Sequence, residues 1–362
     1  MRKLTICCLL VILKATVLMV AIYRVQSQGV EPKLCNWDCG YYQDIALKGY
    51  GEKSQDGVKA FYPALPVLVN TLWSVLPGKS FAWKATILNL LLFGALLYLL
   101  MIWVEGLGFQ HSWLVAVLLS FDRFSLWAQV PYTETLFLVL ALLFLVAAQR
   151  MRDTFLNTMI LAILGGATGA VKFVGLSCAG AMGMSRFWRY IKNPPYGILV
   201  AVLGSWGVIG FFAYLHIHYG AWTANLDAIA DWGRKPSFWA FFKSIFYLVK
   251  MGYFPTILLF LGSMFWILKP PAWLKLSVQE RWFWLALIVV PLSTTIPTSF
   301  TRYLSIIVLG HVFWAFLIRK TRKWPLPWVF DGAWIAVLLI ELYFQEQLIE
   351  KFLRSEAFSW AG

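Results

Sequence analysis

Asp38 stands beside Trp37 in the stretch Trp37-Asp38-Cys39-Gly40-Tyr41-Tyr42-Gln43-Asp44, crowded by aromatic and apolar residues. Glu134 lies in a second such stretch, Pro131-Tyr132-Thr133-Glu134-Thr135. A carboxylate held in apolar surroundings is costly, so acids of this kind mark function more often than acids in open loops. Asp227 and Asp231 read as solvated charges or helix caps. Cations occur in matching surroundings. Lys172 has apolar runs on both sides, Arg302 follows Thr298-Ser299-Phe300-Thr301, and Lys243 and Lys250 flank another apolar run. Lys243 and Lys250 also fit snorkelling anchors, with apolar stems along the lipid and ammonium groups in water. A lysine or arginine at lipid depth favours an anion such as a lipid-linked phosphate. The pattern is a carboxylate base with cations able to hold phosphate.

Other chemistries find little support. His216 and His218 sit two apart at the end of an apolar run, far from His111, and no metal box forms around them. There is no HExxH, no CxxC pair, no P-loop and no GxGxxG opening a βαβ unit, so no metal, cofactor or nucleotide fold is expected. The five cysteines are Cys7, Cys8, Cys35, Cys39 and Cys178. Cys35 and Cys39 bracket Trp37-Asp38, and a bridge there would pin the segment. If the segment is helical, the four-residue spacing fits a disulfide poorly. The odd count also argues against a disulfide framework. The pair is expected to be unbridged.

These residues must be positioned by a membrane bundle. The chain has 362 residues, 60% hydrophobic and 13% charged, with mean hydropathy +0.70. Soluble domains carry roughly 25% charged residues, so an ordinary soluble enzyme is excluded. About 20 apolar residues span a bilayer as a helix. Candidate spans run near 4–22, 85–104, 112–127, 132–148, 155–171, 173–186, 196–219, 248–268, 282–297, 303–318 and 328–348. Irregular backbone is excluded from lipid, so the expectation is an all-α polytopic bundle of about eleven helices in a single domain over 1–362. The first run resembles a signal peptide, but Lys14 interrupts it and no cleavage site follows; it reads as a retained helix.

The net charge of +14 is the orientation label. With a cytoplasmic N-terminus and alternating spans, Arg2, Lys3, Arg150, Arg152, Arg186, Arg189, Lys192, Lys269, Lys275, Arg281, Arg319, Lys320, Arg322 and Lys323 all face the cytoplasm. Only Glu105, Asp153 and Glu280 oppose them there. This is the positive-inside pattern, and it removes any need for a nucleic-acid partner. Residues 23–82 then form a long first outer loop, and loops of that length usually carry function. Within it, Asp38–Leu47 reads as a short interfacial helix with Tyr41, Tyr42 and Ile45 on one face. A second outer segment, 220–247, is rich in aromatics and cations and also reads as interfacial.

The loop resembles a known signature. Trp37-Asp38-Cys39-Gly40-Tyr41-Tyr42-Gln43-Asp44-Ile45-Ala46-Leu47-Lys48-Gly49-Tyr50 is similar to the W-D-x-x-aromatic-aromatic-x-x-I-A-x-x-G-Y of PIG-V-type mannosyltransferases, which belong to the GT-C class of polytopic glycosyltransferases. Four further stretches resemble that family in order. Ala60-Phe61-Tyr62-Pro63-Ala64-Leu65-Pro66 is similar to F-[FY]-P-x-x-P, and Tyr132-Thr133-Glu134-Thr135-Leu136-Phe137 to Y-[ST]-E-[ST]-L-F. The segment around Lys172 is similar to A-x-x-x-R-x-x-G, and Arg302-Tyr303 to a late R-Y. Two departures stand out: Asp44 where histidine is common, and Lys172 where arginine is usual, which keeps the charge but loses the bidentate fork. The chain is shorter than members acting on GPI precursors, which favours a bacterial relative.

The resemblance implies a GT-C bundle whose partners are a polyprenyl-phosphate sugar donor, a lipid, glycan or protein acceptor, and membrane lipids. It implies hexose transfer, most simply of mannose, on the non-cytoplasmic face by inverting single displacement. Asp38 would be the base. Arg302 and Lys172, with Lys250 behind them, would bind the donor phosphate. Trp37, Tyr41, Tyr42, Asp44, Tyr62, Glu134 and Tyr303 would contact sugar or acceptor. The expected setting is a bacterial plasma membrane with the site facing outward, or the endoplasmic reticulum with the site in the lumen. A flippase of polyprenyl-linked lipids would show an inverted repeat and paired broken helices, and neither is visible in the sequence. A non-catalytic GT-C-like subunit is the third reading.

Overall fold

A computed structural model describes residues 2–51, 57–185, 191–231, 233, 237, 239–240, 242–243, 246, 254–292, 308–321 and 327–356. The described residues are helical with no strands. The long helices are α1 (Arg2–Ser27), α4 (Phe81–Gly106), α6 (Glu134–Arg150), α7 (Phe155–Val171), α9 (Pro194–Tyr219) and α14 (Pro327–Leu353). Shorter ones are α2 (Asp38–Lys48), α3 (Ala64–Thr71), α5 (Ser112–Phe121), α8 (Leu176–Ser185), α10 (Ala224–Asp231), α11 (Phe254–Leu268), α12 (Val278–Leu292) and α13 (Leu309–Thr321). Each of the eleven expected apolar runs contains a helix. Among the described residues, four helices are long and apolar enough to cross a bilayer: α1, α4, α9 and the 331–353 part of α14. The chain is a membrane protein.

Local sequence explains several boundaries. Ser80 caps α4 by accepting from the Trp83 amide, and Thr154 caps α7 by accepting from Asn157. Pro194 opens α9, and Gly220 closes it at φ 70°, a left-handed position suited to glycine. The expected span 112–127 is broken: α5 stops at Phe121, and Asp122 starts a short 3-10 helix, Arg123–Ala128, by accepting from the Phe124 amide at 2.8 Å.

Helix packing gives the bundle two distinct ends. At one end Lys3 pairs with Glu105, the Lys275 amide donates to Leu107 at 2.9 Å, and Glu280 accepts from Trp103 at 2.7 Å and Gln149 at 2.8 Å. The long loop and α2 lie at the opposite end of α1 and α4. Small residues allow close approach of α7 and α9: a Cβ on Gly207 would meet Gly166 O and Ala170 N at 2.3 Å. Between the two ends runs a buried polar chain. Lys14, fully buried in α1, donates to Ser125 at 2.5 Å, and Gln345 of α14 donates to the same hydroxyl at 2.5 Å and to Asp122 O at 2.8 Å. His311 Nε2 lies 3.5 Å from the Asp122 carboxylate. The lysine that interrupts the first apolar run is therefore held by polar partners inside protein and does not face lipid.

The loop expectations need two adjustments. The helix expected near 38–47 exists as α2, but Tyr42 and Ile45 are buried against protein, so it is part of the core. Cys35 and Cys39 form a disulfide with Cα atoms 5.0 Å apart, contrary to the expectation of free thiols. The helical-spacing argument fails because α2 begins only at Asp38: Cys35 lies in the preceding loop, where the chain folds back. In the second outer segment α10 is helical, while Trp232, Arg234, Lys235, Phe238 and Phe241 lie outside the described residues.

Candidate active site

Trp37 and Asp38 occupy the entry to α2. Trp37 has φ 51°, a left-handed conformation that a bulky residue adopts only under constraint. The residue is 42% exposed, and its ring packs edge-on against Phe352 at 5.3 Å between centroids. Asp38, half-buried, is the first residue of the helix, where the backbone dipole favours an anion. One turn on, Tyr41 stacks on Phe61 at 4.6 Å, and Tyr42 meets Phe61 edge-on at 5.2 Å. The Tyr42 hydroxyl lies 3.3 Å from the Thr133 hydroxyl, which joins α2 to the start of α6.

The next residue along, Glu134, is 2% exposed and forms an ion pair with Lys172 at 2.5 Å. Lys172 ends α7 in an extended conformation (φ −154°), which turns the chain into a short 3-10 helix, Phe173–Gly175. That turn is closed by the Thr168 hydroxyl donating to Gly175 O at 2.9 Å. A Cβ on Gly175 would meet Thr168 backbone atoms at 2.2 Å, so only glycine permits the turn that presents Lys172. The structure thus brings α2, the start of α6 and the end of α7 together at one end of the bundle, linked through Tyr42, Thr133 and Glu134.

Other expected residues sit differently. Asp44 is 5% exposed and pairs with Lys48 at 2.6 Å within α2. Tyr62 is buried against Phe211, centroids 4.4 Å apart. Burial pushes the Tyr62 phenol above the usual tyrosine range. Burial does the same to Tyr50, helped by the neighbouring phenols, Tyr42 first among them. Tyr50 donates to Phe61 O at 2.6 Å and fixes the loop that carries Phe61. Arg302, Tyr303 and Lys250 lie outside the described residues. Among the described residues, no three His, Cys, Asp or Glu side chains converge as a metal site. His216 stacks on Trp222 at 4.5 Å and His218 on Tyr214 at 4.0 Å, which accounts for that pair as packing.

Sequence reading missed Asn36, Phe61, Thr133 and Phe352. Phe61 and Thr133 belong to the quoted stretches, so a signal existed; Phe352 lies more than three hundred residues from Trp37 and carries none.

No protein-family model matches the chain, and no curated protein matches it. Solved structures do. ArnT from Cupriavidus metallidurans bound to undecaprenyl phosphate aligns with a TM-score of 0.54 at 13% identity, over 87% of this chain and 62% of that one. The Archaeoglobus fulgidus oligosaccharyltransferase in complex with Zn and sulfate aligns at 0.51 and 12% identity, over 95% and 53%. The same enzyme tethered to an acceptor peptide containing the NVT sequon aligns at 0.51 and 11%, over 94% and 55%. The chain spans roughly half to three-fifths of the length of these proteins. The chain shares the fold of these proteins.

Proposed function

We propose that the chain is a GT-C hexosyltransferase, most simply a mannosyltransferase of PIG-V type, that uses a polyprenyl-phosphate sugar donor. The observation that carries this reading is the placement of the Trp37-Asp38 carboxylate and the Glu134–Lys172 pair at one end of the bundle. Support also comes from the fold, shared with a protein solved with undecaprenyl phosphate and another solved with an acceptor peptide.

In the proposed reaction Asp38 takes the proton of an acceptor hydroxyl as its oxygen bonds to the anomeric carbon. The bond from that carbon to the phosphate oxygen breaks on the opposite face, and polyprenyl phosphate leaves. Lys172 balances the charge that develops on the phosphate, a preorganised electrostatic contribution; Arg302 and Lys250 are assigned the same task. Glu134 aims Lys172 through their ion pair. Tyr41 and Trp37 offer aromatic faces to sugar or acceptor. The site faces the periplasm or exterior of a bacterial plasma membrane, or the lumen in a eukaryotic cell.

The test is sugar transfer by the purified chain in vesicles, with polyprenyl-phosphate mannose as donor and a membrane-lipid extract as acceptor. Asp38→Asn should cut turnover by about 10²-fold or more with folding intact. Near-normal turnover would remove Asp38 from the role of base.

A further inference from the structure

Asn36 precedes Trp37 and is 7% exposed. Its side-chain amide donates to Phe352 O at 2.5 Å and Lys33 O at 2.8 Å, and its amide oxygen accepts from the Ser355 hydroxyl at 2.5 Å. Its backbone oxygen accepts from the Tyr132 hydroxyl at 3.1 Å and from the Cys39 amide at 3.1 Å. The Lys33 amide adds a bond to Leu353 O at 2.8 Å. One residue thus ties together the last turn of α14, the loop before α2, the first turn of α2 and the stretch leading to Glu134.

The aromatic contacts follow the same lines. Phe352, fully buried, packs edge-on against Trp37 (5.3 Å), Tyr132 (6.2 Å) and Trp127 (6.4 Å). Trp37 holds a left-handed backbone conformation that costs energy for a residue with a large side chain. Such a conformation persists only where the surroundings over-determine it. The surroundings here are Asn36 on one side, the Cys35–Cys39 disulfide across it and Phe352 beneath it. The direction in which Asp38 enters α2 is therefore set by the distant C-terminal helix.

We propose that Asn36 and Phe352 are positioning residues for Asp38, and that the last turn of α14 is a working part of the site. The proposal rests on Asp38 being the base.

Two readouts separate its failure from failure of that reading. The first is kinetic. Asn36→Ala should lower kcat for sugar transfer tenfold or more while the donor KM stays within about twofold, because Lys172 is aimed by its ion pair with Glu134. Phe352→Ala should do the same, and Phe352→Leu, which keeps an apolar filling, should recover most of the loss. Trp334→Phe is the control. It removes the hydrogen bond from Trp334 of α14 to Thr321 of α13, at a position about 27 Å along the α14 axis from Phe352. It should lower thermal stability and leave kcat unchanged. The second readout is hydrogen exchange at the amides of Cys39 and Gly40, which bond to Asn36 O and Trp37 O. It should quicken in Asn36→Ala and Phe352→Ala and stay as in the wild type in Trp334→Phe. If the wild-type chain transfers no sugar, the functional reading falls while exchange still decides the positioning. Unchanged exchange at Cys39 and Gly40 overturns the proposal, as does a kcat loss in Trp334→Phe matching that of Asn36→Ala. If Asn36→Ala fails to fold, the comparison of Phe352→Leu with Phe352→Ala decides.

Discussion

Exchanging Glu134 and Lys172 separates an ion pair that only joins two helices from one that also aims a cation. Their charged atoms lie 2.5 Å apart, with the side chains 3% and 13% exposed. At an effective dielectric near 20, unit charges at that distance attract by roughly 6–7 kcal/mol, and desolvating both offsets most of it. Removing one partner leaves the other buried and uncompensated, at a cost of about 3–5 kcal/mol. Glu134→Leu and Lys172→Met should therefore each lower the folded-to-unfolded ratio by roughly two to three and a half decades. The double exchange, Glu134→Lys with Lys172→Glu, restores the attraction and should recover most of that stability. Turnover should stay at least about 10²-fold down, because the ammonium would then project from the start of α6 instead of the end of α7 and miss the leaving phosphate. Denaturant unfolding in micelles, paired with sugar transfer in vesicles, measures both. Recovery of stability and turnover together would reduce the pair to a structural tie. Wild-type stability in either single variant would refute the burial argument.

Cys35→Ser with Cys39→Ser opens a loop of about five residues, for which the chain-entropy relation gives about 2 kcal/mol; unfolding with and without reductant should show that difference in the wild type alone. Tyr50 and Tyr62 have phenols raised above the usual range. Their protonated form is favoured by the fold, so the stability they contribute is complete below the unfolded value near 10 and is lost as pH rises from there through the folded values. Alkaline melting should begin above about pH 10, and Tyr62→Phe should make the loss shallower. Lys14→Met removes a donor to Ser125 and should cost about 1–3 kcal/mol. Asp122→Asn in that background should recover part of it, as a double-mutant cycle would read.

Much of the fold was legible because lipid imposes a simple rule. Apolar runs long enough to cross a bilayer must be helical, so a helix lies in each predicted run. The run at 112–127 shows the limit: Asp122 and Arg123 interrupt it and the helix breaks there, since its polar groups find Gln345 and Lys14 inside the bundle. Short range also misled at Cys35 and Cys39, where spacing argued against a bridge until the helix start at Asp38 removed its premise.

The sequence by itself determined that this is a helical membrane protein, with Glu134 and Lys172 at the ends of apolar runs and Asp38 in the long loop after the first run. Only the tertiary structure decided that Glu134 pairs with Lys172, that Lys14 reaches Ser125, and that Phe352 and Asn36 brace the turn before Asp38. Burial demands that each polar group have a partner. Long-range packing chooses which one, across separations of 38 to more than 300 residues that no local periodicity encodes.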